Sequence, residues 1–481
     1  MKILIIGFDG GTERIFRQFD MPFMNGLLDD NAAPVLEEDL LNRGWVEILS
    51  GVHASECGAF YRKALCDGTM NWGDYKFKDL LSNDAITPLW KIAEDHGDRV
   101  GVMNIPTTFP APRVNGFFVS STGAGLFKLS GIPQDFCWPK SVAAELEEMG
   151  YRVDIRLTGD VRFSDAGDFV DQLSTMFEKR VQSYIALAEK FAIDMGFVAC
   201  RCTNLLQYAL MYEIERYFGM QAVERQCRTE SRREWDALLP EFYERLDINL
   251  QKLVEAISPE HVILVSDHAN VAYLNKVDLN YFLREAGFQK GKIKIQRSLR
   301  AAAKMLRSPS FRKALPSAGS FLCAVPEPQR SRAFSLSYIN GIFINDRERF
   351  GGPVDPAEVE SLSCRIIEKF NAHPVAMRHA MSAEIYRPLF EGAAWQDNMP
   401  DIRINYPDTM FFTDEACAFV RPNENYGPVY DISKIVPMYT GVKGRHPLCR
   451  FDNHIGSLVH AADPRDLRLV HRVVQRFYDG R

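Results

Sequence analysis

The sequence predicts an α/β fold, a mostly parallel sheet flanked by helices on both faces, and three observations carry the prediction. Short apolar runs rich in β-branched residues, such as Lys2–Phe8 and His261–Ser266, lack polar alternation, as strands buried on both faces do. Longer stretches with apolar residues at helical spacing alternate with these runs, and that alternation builds a parallel sheet covered by helices. Two of the runs end abruptly in polar residues, Asp9-Gly10 and Asp267-His268. In open α/β sheets that carboxyl edge is where ligands bind.

The elements follow in order. Lys2–Phe8 forms the first strand and stops at Asp9-Gly10-Gly11. Pro88–His96 reads as a helix, Arg99–Asn104 as a strand, Pro106–Pro112 as a proline-punctuated loop and Asn115–Ser120 as a strand. Ser141–Met149 and Asp168–Phe191 are helical, Phe197–Cys200 is a strand, and Leu205–Phe218 and Gln221–Ala256 are helical. His261–Ser266 is the next buried strand. After a basic stretch come a strand at Ile339–Asn345, a helix at Pro356–Asn371 and the opening of a strand at Asp401–Asn405.

The basic stretch divides the chain. No acidic residue occurs from Ala286 to Val325, while Lys290, Lys292, Lys294, Arg297, Arg300, Lys304, Arg307, Arg312 and Lys313 fall there. Residues 286–331 are therefore expected to form a helix-rich insertion: a solvated arm, or a lid that attracts an anionic substrate. Residues 1–285 and 332–481 are the two parts of the core.

Composition bounds the function. The 481 residues are 46% hydrophobic and 25% charged, with a net charge of −6. That balance gives no pull towards nucleic acid or an acidic membrane. Lys2–Gly7 is too short an apolar run for a secretion signal, and no run is long enough to span a bilayer. The ten cysteines are scattered. Cys200-x-Cys202 has no partner pair at zinc-finger spacing, and the thiols read as reduced in a cytoplasmic protein, Cys57 and Cys202 as core filler.

The strand tips carry the chemistry. Asp9, Asp267 and His268 offer carboxylate and imidazole donors on rigid supports, the donors that hold catalytic zinc or manganese. Three such ligands hold one divalent ion with a position open. A later histidine, His446, follows Gly444-Arg445, with His454 as a rival for the same role.

With these residues in view, the chain resembles the type I phosphodiesterase/nucleotide pyrophosphatase branch of the alkaline phosphatase superfamily. Ile5–Gly10 is similar to that family's opening strand and first metal-binding aspartate, and Met21–Leu28 to its following helix. Trp45–Gly51 resembles its Trp-Thr-Ser-Phe-Leu-Thr-Gly block. Asn104–Pro110 and Val114–Val119 resemble its Pro-x-Thr-Tyr-Pro and Asn-Gly segments. Val265–His268 matches its Ser-Asp-His-Gly motif, with Ala269 for the glycine. Ile339–Asn345, Glu384–Tyr386 and Pro400–Ile402 match later blocks in order. The resemblance implies an alkaline-phosphatase-like core with a two-metal hydrolase site.

It also exposes departures. The family carries a Thr or Ser nucleophile ten residues before the glycine of its Thr-Gly pair, at a helix N-terminus that steadies a phosphate. Here that position is Leu41, flanked by Leu40, Asn42 and Arg43. The family's second-metal Asp and the His four residues on are replaced by Asn204 and Tyr208, and Cys57-Gly58 stands in place of its Pro-x-x-His-Gly element. The resemblance thus implies one intact ligand set, Asp9, Asp267 and His268, and a dismantled one that keeps only His446. Arg43 or Arg201 can replace some of the missing ion's charge at a bound phosphate, and Glu47 is a candidate general base.

Three functions are open on these residues. The first is a diverged enzyme using at most one divalent ion, zinc or manganese, on a small phosphorylated or anionic ligand. The second is an inactive protein that binds or scaffolds. The third is a conventional metal-dependent phosphodiesterase whose nucleophile lies elsewhere. Neither a nucleic-acid partner nor a membrane is expected.

Overall fold

The computed structural model describes residues 1–121, 131–155, 163–219, 231–295, 322–414, 418–429 and 439–480. The chain forms two compact units: Met1–His53, Lys76–Tyr273 and Glu424–Arg481 make the first, Ala54–Tyr75 and Leu274–Asn423 the second.

The first unit is built on a seven-stranded sheet. Its strands in chain order are β1 (Ile3–Phe8), β2 (Val100–Met103), β3 (Gly116–Val119), β4 (Cys137–Trp138), β5 (Met195–Cys200), β6 (His261–Val265) and β7 (Cys449–Phe451). Their spatial order is β7-β6-β1-β5-β2-β3-β4. The inner neighbours run parallel, and the two edge pairings, β3 with β4 and β6 with β7, are antiparallel. The expected mostly parallel sheet is therefore present, with reversed edges that the short apolar runs did not announce. Every residue of β1 is buried, as its unbroken Ile/Leu run requires. Gly7 is demanded by packing: a Cβ there would sit 2.7 Å from the Trp45 ring.

Four helices surround the sheet edge that carries the polar strand tips or brace it from behind: α1 (Gly44–Ser50), α2 (Ala166–Phe191), α3 (Cys202–Tyr217) and α4 (Ser231–Ile257). Asp165 caps α2 by accepting the Asp168 N–H at 2.8 Å, and the face from Phe169 to Leu187 is buried. Helix α3 bends at Leu210, where φ is −118° and ψ 19°. The bend has a cause: the Thr440 hydroxyl donates to the Ala209 carbonyl at 2.9 Å and accepts the Tyr212 N–H at 3.2 Å, entering the helical ladder. Just beyond Thr440, Gly441–Gly444 pairs antiparallel with Ala269–Ala272, the strand that starts directly after His268.

The second unit has a four-stranded antiparallel sheet in the order Ala333–Phe334, Gly341–Ile344, Ile402–Asn405, Ser382–Ile385. Helix Val359–Asn371 contributes Leu362, Ile366 and Phe370 to its core. A buried Arg349 holds Asp346 and Asp401, each at 2.6 Å, and Arg387 meets the other oxygen of Asp401 at 2.9 Å. In the expected insertion, Gly291–Ile295 and Leu322–Pro326 pair as an antiparallel ribbon, and residues 296–321, where helices were expected, lie outside the described residues. The same holds for residues 221–230 of the expected long helix, whose remainder is α4.

Candidate metal centre

Strands β6, β1 and β5 are adjacent in the sheet, so their carboxyl ends bring Asp267-His268, Asp9-Gly10 and Arg201 side by side. Among the described residues, the cluster with metal-ligand spacing is Asp9, Asp267 and His268, whose donor atoms all lie within 4.8 Å of one another. His268 Nε2 is 3.8 Å from Asp9 Oδ1 and 3.5 Å from Asp267 Oδ2.

Each ligand is oriented by its neighbours. Asp9 is tied through its backbone: its N–H donates to the Cys200 carbonyl at 2.8 Å, and Thr203 Oγ1 donates to its carbonyl at 2.7 Å. Its Oδ2 accepts the Trp45 indole N–H at 3.3 Å and lies 3.5 Å from Arg201 Nε. Its Oδ1 is buried and accepts no hydrogen bond. Asp267 Oδ1 accepts the Gly10 N–H at 3.3 Å. His268 Nδ1 lies 2.7 Å from the Ala269 carbonyl. A carbonyl only accepts, so Nδ1 carries the proton and the Nε2 lone pair faces the two carboxylates, the arrangement of a metal-ligating imidazole.

Electrostatics agree with this geometry. Burial pushes the Asp9 carboxyl up to about 6, with Asp267 adding repulsion and Arg201 opposing both. Burial likewise pushes Asp267 up to about 6, against the pull of Lys443. Burial and the Lys443 charge push His268 down to about 3, so it is neutral near pH 7. Two carboxyls reluctant to ionise, a neutral imidazole and an oxygen without a donor are what a ligand set presents before a cation neutralises it. The donors fit a divalent ion.

Of the positions that depart from the resemblance, Asn204 and Tyr208 lie at this site. Asn270 Nδ2 bridges Asn204 Oδ1 and Gln207 Oε1, each at 3.1 Å, and a Cβ on Gly10 would come within 3.2 Å of Asn204 Oδ1. The Tyr208 ring stacks on His268, centroids 6.2 Å apart and planes 19° off parallel. Leu41 is a buried apolar side chain just before α1. The Cys200 and Cys202 sulfurs, 2.7 Å apart and buried, bracket Arg201.

The candidate catalytic groups separate. Arg201 is buried at Asp9, with Nη1 also 3.5 Å from Asp154 Oδ2; its Nε and Nη1 are buried and make no hydrogen bond. Arg43 is half-buried at the residue before α1, and the next residue, Gly44, touches Asp267: a Cβ there would sit 2.2 Å from the Asp267 carbonyl oxygen. Glu47 joins a different cluster. Asn42 Nδ2 donates to its Oε1 at 2.9 Å, and burial beside Glu38 holds its carboxyl well above the usual range. Glu38 itself is pushed up to about 7, chiefly by burial, so the two acids form a buried pair away from the metal ligands.

Neither later histidine joins the cluster. His446 is exposed, with Nδ1 3.1 Å from the Leu36 carbonyl. His454 stacks on His261 at 4.8 Å, at the start of β6, whereas Asp267 follows its end. At about 3.3 Å per residue that places it roughly 20 Å away.

Three residues at the site were not legible from the sequence. Asp154, whose side chain is fully buried, accepts from Ser121 Oγ at 2.9 Å and lies 3.6 Å from Arg180 Nη2, extending the charge network from Arg201. Trp45 orients Asp9. Lys443 stands opposite Asn270 in the ribbon, and its charge acts on Asp9, Asp267 and His268. The one signal for Lys443 was a cation between glycines in Gly441-Val-Lys-Gly444, three residues before His446.

No family model and no curated protein matches this sequence. Solved structures do match its fold. Phosphonoacetate hydrolase from Sinorhizobium meliloti 1021 in complex with phosphonoformate superimposes with a TM-score of 0.54 at 11% identity, over 98% of this chain and 95% of that one. The same hydrolase with phosphonoacetate gives 0.53 at 12%, over the same shares. Murine ectonucleotide pyrophosphatase/phosphodiesterase 5 gives 0.41 at 11%, over 94% of this chain and 88% of that one. The chain therefore has the alkaline-phosphatase-like fold of phosphonoacetate hydrolase.

Proposed function

We propose that this chain is a diverged phosphodiesterase-like enzyme that uses one divalent ion, zinc or manganese, on a small phosphorylated or otherwise anionic molecule, without a Thr or Ser nucleophile at the family position. The observation that carries the reading is the Asp9–Asp267–His268 cluster with its unsatisfied Asp9 Oδ1. Held there, an ion supplies electrophilic stabilisation of charge on a phosphoryl-type oxygen. The chain's own residues do the rest. Gly10 N–H, the Trp45 indole and the Ala269 carbonyl fix the three ligand side chains. Arg201, held between Asp9 and Asp154, adds a fixed positive charge beside Asp9 that favours an anionic head group. Phosphonoacetate, which the similarly folded hydrolase binds, belongs in the substrate panel beside phosphomonoesters and nucleotide diesters. The cysteines, free thiols at Cys57, Cys66, Cys137, Cys200, Cys202, Cys364 and Cys449, support a cytoplasmic setting.

A second reading has its own support. Leu41, at the position the resemblance gives to the nucleophile, is a buried apolar side chain, and Glu47 is a buried acid paired with Glu38 in another cluster, which suits a protein that binds an anion and turns nothing over. Elemental analysis of chelator-free protein separates the two from the start. About one ion per chain, lost in Asp267→Ala while the circular dichroism spectrum persists, is the expected result. No ion in either protein favours the binding role, and two ions in the native chain overturn the single-ion site.

A further inference from the structure

The residue beside this site with the most to explain is Lys443. It sits in the strand Gly441–Gly444, directly opposite Asn270 in the antiparallel ribbon that begins after His268. Residues directly opposite in such a pair project from the same face. The Asn270 side chain on that face reaches Asn204 and Gln207, against Gly10. The strand is also pressed onto α3. The Thr440 N–H donates to the Tyr208 carbonyl at 2.9 Å, and a Cβ on Gly441 would meet the Gln207 carbonyl oxygen at 2.5 Å. Lys443 is thus carried between the ligands Asp267 and His268 on one side and positions 204 and 208 on the other.

We infer that the Lys443 ammonium is a built-in cation of the site, replacing the positive charge of a second ion and binding, opposite Arg201, a tetrahedral oxyanion head group. This rests on the single-ion reading above and deepens it. The lysine is half-buried, as a long side chain with an apolar stem and a charged end commonly is. Its charge acts on all three ligands, lowering the carboxyls and the imidazole alike, as a cation near the cluster must. A fixed cation there has two opposed effects. It repels a divalent ion and attracts an anion.

That opposition is the test. Manganese and then inorganic phosphate are titrated calorimetrically into the native chain, Lys443→Gln and Lys443→Arg, each checked for an unchanged melting curve. Lys443→Gln is expected to bind manganese on the order of tenfold more tightly and phosphate on the order of tenfold more weakly, with Lys443→Arg restoring both. Affinities that both stay put, or both fall together as a merely structural lysine would cause, overturn the assignment. If the native chain takes up no manganese while phosphate still weakens in Lys443→Gln, the single-ion reading fails and the anion role of Lys443 stands. If the native chain takes up one manganese ion and Lys443→Gln leaves phosphate unchanged, the reading stands and Lys443 is excluded.

Discussion

At the scale of single residues, the site depends on what buries Asp9 and Asp267. Both carboxyls rise from 3.8 to about 6, chiefly because they have left water. The ion-free folded chain therefore keeps protons there that the unfolded chain releases at lower pH. Their contribution to stability is fully present below about 3.8 and is lost as pH rises through about 6. An ion needs both carboxylates bare, so its affinity rises across the same window. The rise in melting temperature on adding manganese is expected to be small near about pH 5, to grow towards about pH 7 and then to level off. Melting curves with and without the ion measure this, and an increment independent of pH would detach the two carboxylates from the ion. The placement of Asp9, Asp267 and His268 at strand ends was legible because each follows an apolar run of strand length. Trp45 and Asp154 were not. An indole aimed at a carboxylate and an acid joined to arginines 26 and 47 residues further on depend on tertiary packing, which leaves no local pattern.

At the scale of elements, the bend in α3 is the joint on which the site turns. Thr440 spans it, satisfying the Tyr212 N–H and the Ala209 carbonyl with one hydroxyl. Thr440→Val keeps the shape and removes the hydroxyl, leaving both backbone groups buried without that partner. It is expected to destabilise the first unit by about 1–3 kcal/mol, read from urea unfolding. Because the strand of Lys443 begins one residue later, manganese affinity should change as well. A variant as stable as the native chain would show that the bend has another origin. Most strands and long helices were legible here, since period and length separate a buried run such as Met195–Cys200 from an amphipathic one such as Ala166–Phe191. The edge strands were not: Cys137–Trp138 and Cys449–Phe451 are 2 and 3 residues long, too short to carry a period.

At the scale of the whole molecule, all three proposed ligands belong to the first compact unit. Ion binding is therefore expected to slow amide exchange there, in Ile3–Phe8, Met195–Cys200 and His261–Val265, by the stabilisation that binding adds. The strands Gly341–Ile344 and Ile402–Asn405 of the second unit should exchange as before. Hydrogen–deuterium exchange with mass spectrometry resolves these segments, and equal protection in both units would mean that the ion acts elsewhere. The overall architecture was visible from strand–helix alternation. The division into units was not, because the second takes a short piece, Ala54–Tyr75, from far upstream of its remainder.

The candidate ligands and the helix residues beside them stand on different supports. Asp9, Asp267 and His268 sit at the tips of neighbouring sheet strands, where any drift of the backbone would break a hydrogen-bonded ladder on both sides. Asn204 and Tyr208 sit on a helix, and they reach the strand tips only through the Asn270 amide and the His268 ring. A change at 204 or 208 is therefore felt at the strand tips through one amide and one ring, whereas a shift of backbone at the tips is felt across the whole sheet.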